Sequence, residues 1–576
     1  MIQEPLRHLF SVGTFFLTDD DLIDDKRQDD LVKNATDLGW NWFCQGEFEE
    51  NFTYKKIDLR SLFTQDIVIY LVKALKIVDL YITILERYDI DHITIIDDGS
   101  AWGSLAQWIA QLRAISYKRF FIKSRRRLTQ KNPFANIAKS VLSFLNRVTS
   151  PPKSTGNVLY SSAIRFAAPF LKRKDGGYYL RDTFSLEAGK MTRKYDFSHI
   201  LPSYFSSGRN SGLSIGQIDI WLSKIHDYFS VHPFFSIKNL NLWPGIHEDF
   251  IKIARSNIFL GAQLVDEFIE MFIRLQPRAI LVDEEVCFFN KTLVCAANAH
   301  KIPTFCLEHG VPLINVGSVP SAVTQILAWG EPSKKRLCEW GVPEAKIRLV
   351  GAPQLKLTSQ TNYIACRSFI EKSLKIKSDQ SYLLLTAFPF DTNKNPTFYK
   401  TSLGMAIQEA ALSVNAMILE KYTDMHLVVK FHPADENIAF SAAIIAKFSP
   451  SLQSRIHFVT QFDANILITG AYAVLTTAST MYFEALLQEK PTFLLDLSDS
   501  RMLSDSRMGK FLSDDFLDLK APDKCAVFLI QRLSPGHINE GFAHQKNEIT
   551  RHFFRENKEA VPLILEILLN AHGPVA

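Results

Sequence analysis

What this 576-residue sequence lacks narrows its class before any motif is read. It has no C-x-x-C pair. The seven cysteines, at 44, 287, 295, 306, 338, 366 and 525, are scattered and odd in number, which excludes a zinc ribbon or a disulfide framework and suits buried thiols of a reduced compartment. No apolar run approaches the roughly 18 residues of a membrane-spanning helix. The opening MIQEPLRHLF lacks the charged-then-apolar layout of an export signal, so the expected location is the cytoplasm, at most peripheral on the inner face of a membrane. No internal repeat marks a solenoid, and no His, Cys, Asp or Glu spacing suits a metal, so none is expected.

Acidic residues are missing from one long stretch. Between Asp98 and Asp175 there is no Asp or Glu, while fifteen lysines and arginines run from Arg113 to Lys174. Such a segment attracts anions. Within it, Ile137, Val141, Phe144, Leu145 and Val148 recur at helical spacing, so a basic helical insertion over about 116–175 is expected. Its part 116–153 is a candidate contact with an anionic membrane surface, although the same stripe also suits an ordinary packing face. No nucleic-acid recognition motif accompanies the charge, so nucleic acid is not an expected partner.

What is present is a globular composition, 47% apolar and 22% charged, which excludes disorder, in a chain longer than one core usually supports. Short apolar runs alternate with helical stretches: "HITIIDD", "AILVDEE", "PTFCLEHG", "ILAWG", "IRLVG", "YLLLTAF", "HLVVKFHP", "IHFVT", "AVLTTAS" and "PTFLLDL". Alternation of this kind predicts α/β architecture with two doubly wound parallel sheets. The Gly/Pro-punctuated passage from 329 to 353 separates two strand series, and the expected domains are 1–335 and 336–576.

In open α/β sheets ligands sit beyond the carboxyl ends of strands, and chemistry-bearing residues follow strands four times here. Asp97, Asp98, Gly99 and Ser100 come first: one carboxylate can act as a base while the other caps the next helix, and a plain strand-to-helix turn has the same residues. Glu308, His309 and Gly310 put an imidazole beside a flexible backbone position, or on an ordinary surface turn. In His432-Pro433 the proline fixes the strand exit and so holds the imidazole, which can bind a phosphate; Lys430, two residues earlier, faces the same side. Last, Thr477, Ser479 and Thr480 open a helix whose N–H groups favour an anion, or which they merely cap, with Glu484 one turn on and in reach of a ribose hydroxyl. The stretch "YYLRDTFSLEAGK", 178–190, with Arg181 and Asp182, is a further acceptor-side candidate.

Taken together, "DDGS", "KFHP" and "ASTMYFEALLQEKPTFLLD" resemble the acidic, His-Pro and paired-hydroxyl motifs of bacterial sialyltransferases and polysialyltransferases, which have the GT-B fold of two Rossmann-like domains facing a cleft; Thr480 stands in place of the second serine. "LEHGVPL" with "KFHP" is also similar to CDP-glycerol polyol-phosphate transferases, and the passage from "LEHG" to "GAPQL" resembles capsule polysaccharide transferases in general. The resemblance implies a glycosyltransferase with an acceptor-side N-terminal domain and a donor-binding C-terminal domain. Its partners would be a nucleotide-activated sugar, CMP-linked or other, and a glycan or lipid-linked acceptor, with no cofactor beyond that donor. It implies metal-independent displacement with inversion, His432 and the Ser479/Thr480 helix start stabilising the departing phosphate, and Asp98, or His309, taking the acceptor proton. Alternatives are a polyol-phosphate transferase, a nucleotide-sugar 2-epimerase, and a non-catalytic membrane-associated scaffold of polysaccharide assembly.

Overall fold

A computed structural model describes residues 22–45, 52–97, 101–121, 158–161, 170, 177–180, 199–200, 212–285, 287–308, 310, 319–353, 363–387, 401–431, 438–460, 462–476, 479–496, 516–534 and 560–571. The chain divides into two compact units, Asp29–Gln354 with Asn557–Ala576, and Met1–Gln28 with Leu355–Glu556. They are called the N-terminal and C-terminal units below.

The N-terminal unit is built on seven parallel strands: β1 (Val158–Ser161), β2 (Gly177–Leu180), β3 (His199–Ile200), β4 (Ala279–Val282), β5 (Thr304–Leu307), β6 (Gln325–Ala328) and β7 (Ile347–Leu349). Their order across the sheet is 7-6-5-4-1-2-3. All residues of β1 and β4 are buried, as a parallel sheet covered on both faces requires. Val158, Tyr160, Ala279, Leu281, Phe305 and Leu327 form one core with the helix Ala560–Leu569, while the helix Phe288–Ala299 packs against β4 and β5.

Two expectations are corrected here. The division falls after Gln354 rather than after 335, because β7 pairs with β6 and keeps residues 336–354 in the first sheet. The segment 116–175 is not helical throughout. Ser116–Phe121 is a strand and β1 lies inside the seven-stranded sheet; 122–157, including the amphipathic stripe, lies outside the described residues.

The strand His92–Asp97, which leads into the acidic motif, pairs in parallel with Ser116–Phe121 in a separate two-stranded sheet. The helix between them, Ala101–Leu112, packs against the helices Thr64–Arg87 and Trp243–Leu275. Gly245 is required there: a Cβ at that position would lie 2.5 Å from the ring of Trp108.

The C-terminal unit has six parallel strands: β8 (Ser381–Thr386), β9 (Met425–Lys430), β10 (Ile456–Val459), β11 (Ala473–Thr476), β12 (Thr492–Asp496) and β13 (Phe516–Asp518). They lie in the order 10-9-8-11-12-13. Strand periodicity splits the apolar residues between two cores. Leu383, Leu385, Leu427, Val429 and Leu475 pack on the helices Thr401–Lys421 and Pro522–Arg532; Tyr382, Leu384, Val428 and Val474 pack on Tyr363–Leu374, Ala464–Gly470 and Met481–Leu487. Emptying one such position, as in Leu385→Ala, costs about 2–5 kcal/mol in cores of this kind. The α/β class with two doubly wound parallel sheets is therefore as expected.

Candidate functional site

Strand order locates a crevice in each sheet. Where neighbouring strands send their chains to opposite faces, the following loops diverge and leave a gap beyond the carboxyl ends. In the C-terminal unit this happens between β8 and β11. β8 leads to Thr401–Lys421 on one face, and β11 leads to Met481–Leu487 on the other.

Thr386 ends β8 and Thr476 ends β11, and both are buried. Their hydroxyl oxygens lie 2.7 Å apart, a hydrogen bond across the floor of the crevice. Just beyond β11, Ser479 and Thr480 are half-buried at the start of Met481–Leu487. The Ser479 Oγ accepts from the Met481 N–H at 3.3 Å, and the Thr480 side chain makes no capping bond. Glu484 sits in the first turn of this helix, where a carboxylate complements the N-terminal dipole.

On the other side of β8, Lys430 ends β9. Its half-buried ammonium donates to the carbonyls of Thr460 at 3.1 Å and Phe431 at 3.4 Å, which holds the cation at the carboxyl edge of the sheet. Lys430 and Thr476 thus end the two strands that flank β8, about 10 Å apart at the usual strand spacing, and Ser479 follows Thr476 on the same edge. The side chain of Phe431 is fully buried, anchoring the chain immediately before His432. His432, Pro433 and Thr477 lie outside the described residues.

In the N-terminal unit the corresponding gap lies between β4 and β1. Ser161 ends β1 and donates to Asn290 Oδ1 at 2.7 Å. The amide nitrogen of Asn290 donates to the Glu284 carbonyl at 2.9 Å and to its Oε1 at 3.0 Å, and the Cys287 N–H donates to Glu284 Oε2 at 2.8 Å. Glu285 is buried; its Oε2 accepts from the Ala322 N–H at 2.8 Å and faces Lys291 Nζ at 3.8 Å. These bonds lock the acidic turn between β4 and its helix. In the sequence Asp283, Glu284 and Glu285 looked like the end of a strand and nothing more; only the strand order reveals that they sit at a crevice.

Glu308 follows β5 and is a tie between elements. Its carboxylate accepts from the Trp329 N–H at 2.7 Å and from the Ser333 hydroxyl at 2.5 Å, while its carbonyl accepts from the Trp329 indole at 2.6 Å. Burial pushes its pKa up to about 7, against the lowering effect of the Ser333 and Trp329 hydrogen bonds. Gly310 is described and half-buried; His309 is not among the described residues, and neither are Asp98, Gly99, Ser100, Arg181 and Asp182. Asp97 closes the strand of the separate two-stranded sheet, in register with Phe121. Of the predicted residues, the structure therefore brings Lys430, Ser479, Thr480 and Glu484 to one sheet edge, and it places Glu308 and Asp97 on two further elements of the other unit.

Among the described residues no group of three or more His, Cys, Asp or Glu could hold a metal ion, and no helix is long and apolar enough to cross a membrane.

Residues 402–497, which include β9 to β12, match a family model described as "Capsule polysaccharide biosynthesis protein". No curated protein matches the chain. Similar solved structures include UDP-GlcNAc 2-epimerase from Neisseria meningitidis bound to UDP-GlcNAc, 14% identical with a TM-score of 0.45, covering 72% of this chain and 100% of that one. A glycosyltransferase from Rickettsia africae ESF-5 is 12% identical with a TM-score of 0.44, covering 72% and 98%. Anabaena Alr3699/HepE in complex with UDP and glucose is 9% identical with a TM-score of 0.43, covering 72% and 100%.

Proposed function

We propose that this protein is a GT-B glycosyltransferase of bacterial surface-polysaccharide synthesis, moving a sugar from a nucleotide-activated donor to a glycan or lipid-linked acceptor. The observation that carries this reading is the crevice between β8 and β11, floored by Thr386 and Thr476 and edged by Lys430, Ser479 and Thr480, within a stretch largely covered by the capsule-family match.

In such a transfer the acceptor hydroxyl attacks the anomeric carbon, the bond to the donor phosphate breaks, and the nucleotide leaves with the electron pair. The negative charge gathering on that phosphate is what the site must stabilise. His432, held by Pro433 beyond the anchored Phe431, and the hydroxyls and N–H groups after β11 supply donors for it, with Lys430 adding positive charge from behind. The acceptor proton passes to Asp98, with His309 as the second candidate base. Displacement is direct and inverting, and needs no metal. A CMP-linked, sialic-acid-like donor is favoured by the motif resemblance, and the basic segment after Asp98 suits an anionic acceptor or an anionic membrane surface in the cytoplasm.

A thermal-shift panel of CMP, CDP, UDP and GDP tests the donor crevice, since a ligand at one hundred times its Kd stabilises by about 2.7 kcal/mol. Stabilisation by one of the four, followed by acceptor-dependent transfer from the matching sugar nucleotide, is the expected result. If none of the four raises the melting temperature, the reading fails; interconversion of a nucleotide sugar without any acceptor would assign a 2-epimerase instead.

A further inference from the structure

The opposite edge of the C-terminal sheet carries a second concavity, of about 250 Å³. It lies where strands begin rather than end. The residues leading into β8, β11 and β12 line it, together with Tyr363, Arg367, Glu489 and Lys490. Because β8 is six residues long, the two sites are separated by about 17 Å.

Two cations from different elements face this space. Arg367, on the helix Tyr363–Leu374, is only 5% exposed. Its Nη1 donates to Gly470 O at 3.4 Å, and its Nη2 to the carbonyls of Lys377 at 2.8 Å, Ser378 at 3.2 Å and Gln380. Its Nε is buried with no hydrogen-bond partner. Lys490, half-buried just before β12, donates to Ala471 O at 3.0 Å and lies 5.5 Å from the centre of the Tyr363 ring. Among the described residues, neither cation forms an ion pair with a carboxylate. Glu489 is the acid on the rim. Burial, and then the charge of Arg367, hold the Lys490 pKa below its ordinary value, as two cations close together without an anion should.

A buried charge is ordinarily paired, and here the carbonyls satisfy N–H geometry without cancelling charge. A guanidinium and an ammonium lining one cavity match the oxygens of a doubly charged phosphate better than those of a single carboxylate. The cavity has room for more than the phosphate, and the Tyr363 ring supplies a flat surface for the remainder. We propose that this concavity is a binding site for a small phosphate monoester, its phosphate held between Arg367 and Lys490 and its organic part against Tyr363. The site is separate from the donor crevice and does not depend on the transferase reading.

Isothermal titration of the full chain at fixed ionic strength tests it, with glucose 1-phosphate, inorganic phosphate and glucose as probes. Glucose 1-phosphate should bind, inorganic phosphate more weakly, and glucose not at all. Lys490→Met should weaken both phosphate probes at least tenfold. Tyr363→Ala, at an exposed position, should weaken glucose 1-phosphate but not inorganic phosphate, and remains informative if Lys490→Met does not fold. Neither variant should alter the nucleotide thermal-shift panel. Absence of binding, affinity unchanged in both variants, or displacement of glucose 1-phosphate by saturating UDP would each overturn the proposal. Should no nucleotide bind while glucose 1-phosphate does, the donor-crevice reading falls and this one stands.

Discussion

Thr386 and Thr476 meet hydroxyl to hydroxyl at 2.7 Å, where the adjacent strands β8 and β11 send their chains to opposite faces of the C-terminal sheet. Replacing either with valine keeps the shape and removes this buried hydrogen bond, which costs about 0.5–1.5 kcal/mol. The double replacement removes both polar groups, so its cost should fall below the sum of the singles. Thermal melts of Thr386→Val, Thr476→Val and the pair test this; simple additivity would show that the two hydroxyls do not act together.

His432 follows an anchored residue, Phe431, at the carboxyl edge of β9. If it donates to the departing phosphate, His432→Ala should lower turnover by about 10²–10³, the usual loss for one preorganised donor, with a melting temperature near that of the wild type. Single-turnover transfer from the identified donor is the measurement. Wild-type turnover in the variant would remove His432 from the mechanism.

Glu308 predicts a pH dependence of stability. Burial raises its pKa from the ordinary 4.5 to about 7, so the native state holds a proton that the unfolded chain releases. Its contribution is fully present below about pH 4.5 and is lost as the pH rises through about 7. The decline in melting temperature across this window should be smaller in Glu308→Gln, whose amide stays neutral; parallel curves for the two proteins would contradict the assignment.

His426 and His457 predict the opposite sign. Their rings are joined by a hydrogen bond of 3.0 Å on β9 and β10. Burial, then the charges of His457, Arg455 and Arg367, lower the His426 pKa from 6.5 to about 4, and burial lowers that of His457. The pair's contribution is therefore present above about pH 6.5 and is lost as the pH falls toward about 4. His426→Leu should lose less melting temperature than the wild type between pH 7 and pH 5. An equal or greater loss would show that protonation of the pair does not matter.

Much of this architecture was legible in the sequence because both sheets rely on strands buried on both faces. "AILV", "YLLLT" and "HLVVK" are continuous apolar runs bounded by turns, and they fall on β4, β8 and β9. β1 was not legible: "VLYS" is only four residues long and sits in a segment dominated by cations, so charge hid a central strand. The hydroxyl-rich turn after β11 could be read from its residue types, whereas the role of Thr386 could not. Its partner is 90 residues away, and only the order of strands brings them together. The burial of Arg367 follows from contacts with carbonyls that no local pattern announces.

The helix Ala560–Leu569 covers Leu281, Phe305 and Leu327 although some two hundred residues of the other unit intervene between Gln354 and Asn557. During synthesis those apolar side chains stay uncovered by their proper neighbour for about 10–40 s at ordinary elongation rates. Completion of the earlier half therefore waits upon emergence of the later one. A stop codon between Lys520 and Ala560 would strip the first half of this cover while leaving the described strands of both sheets encoded.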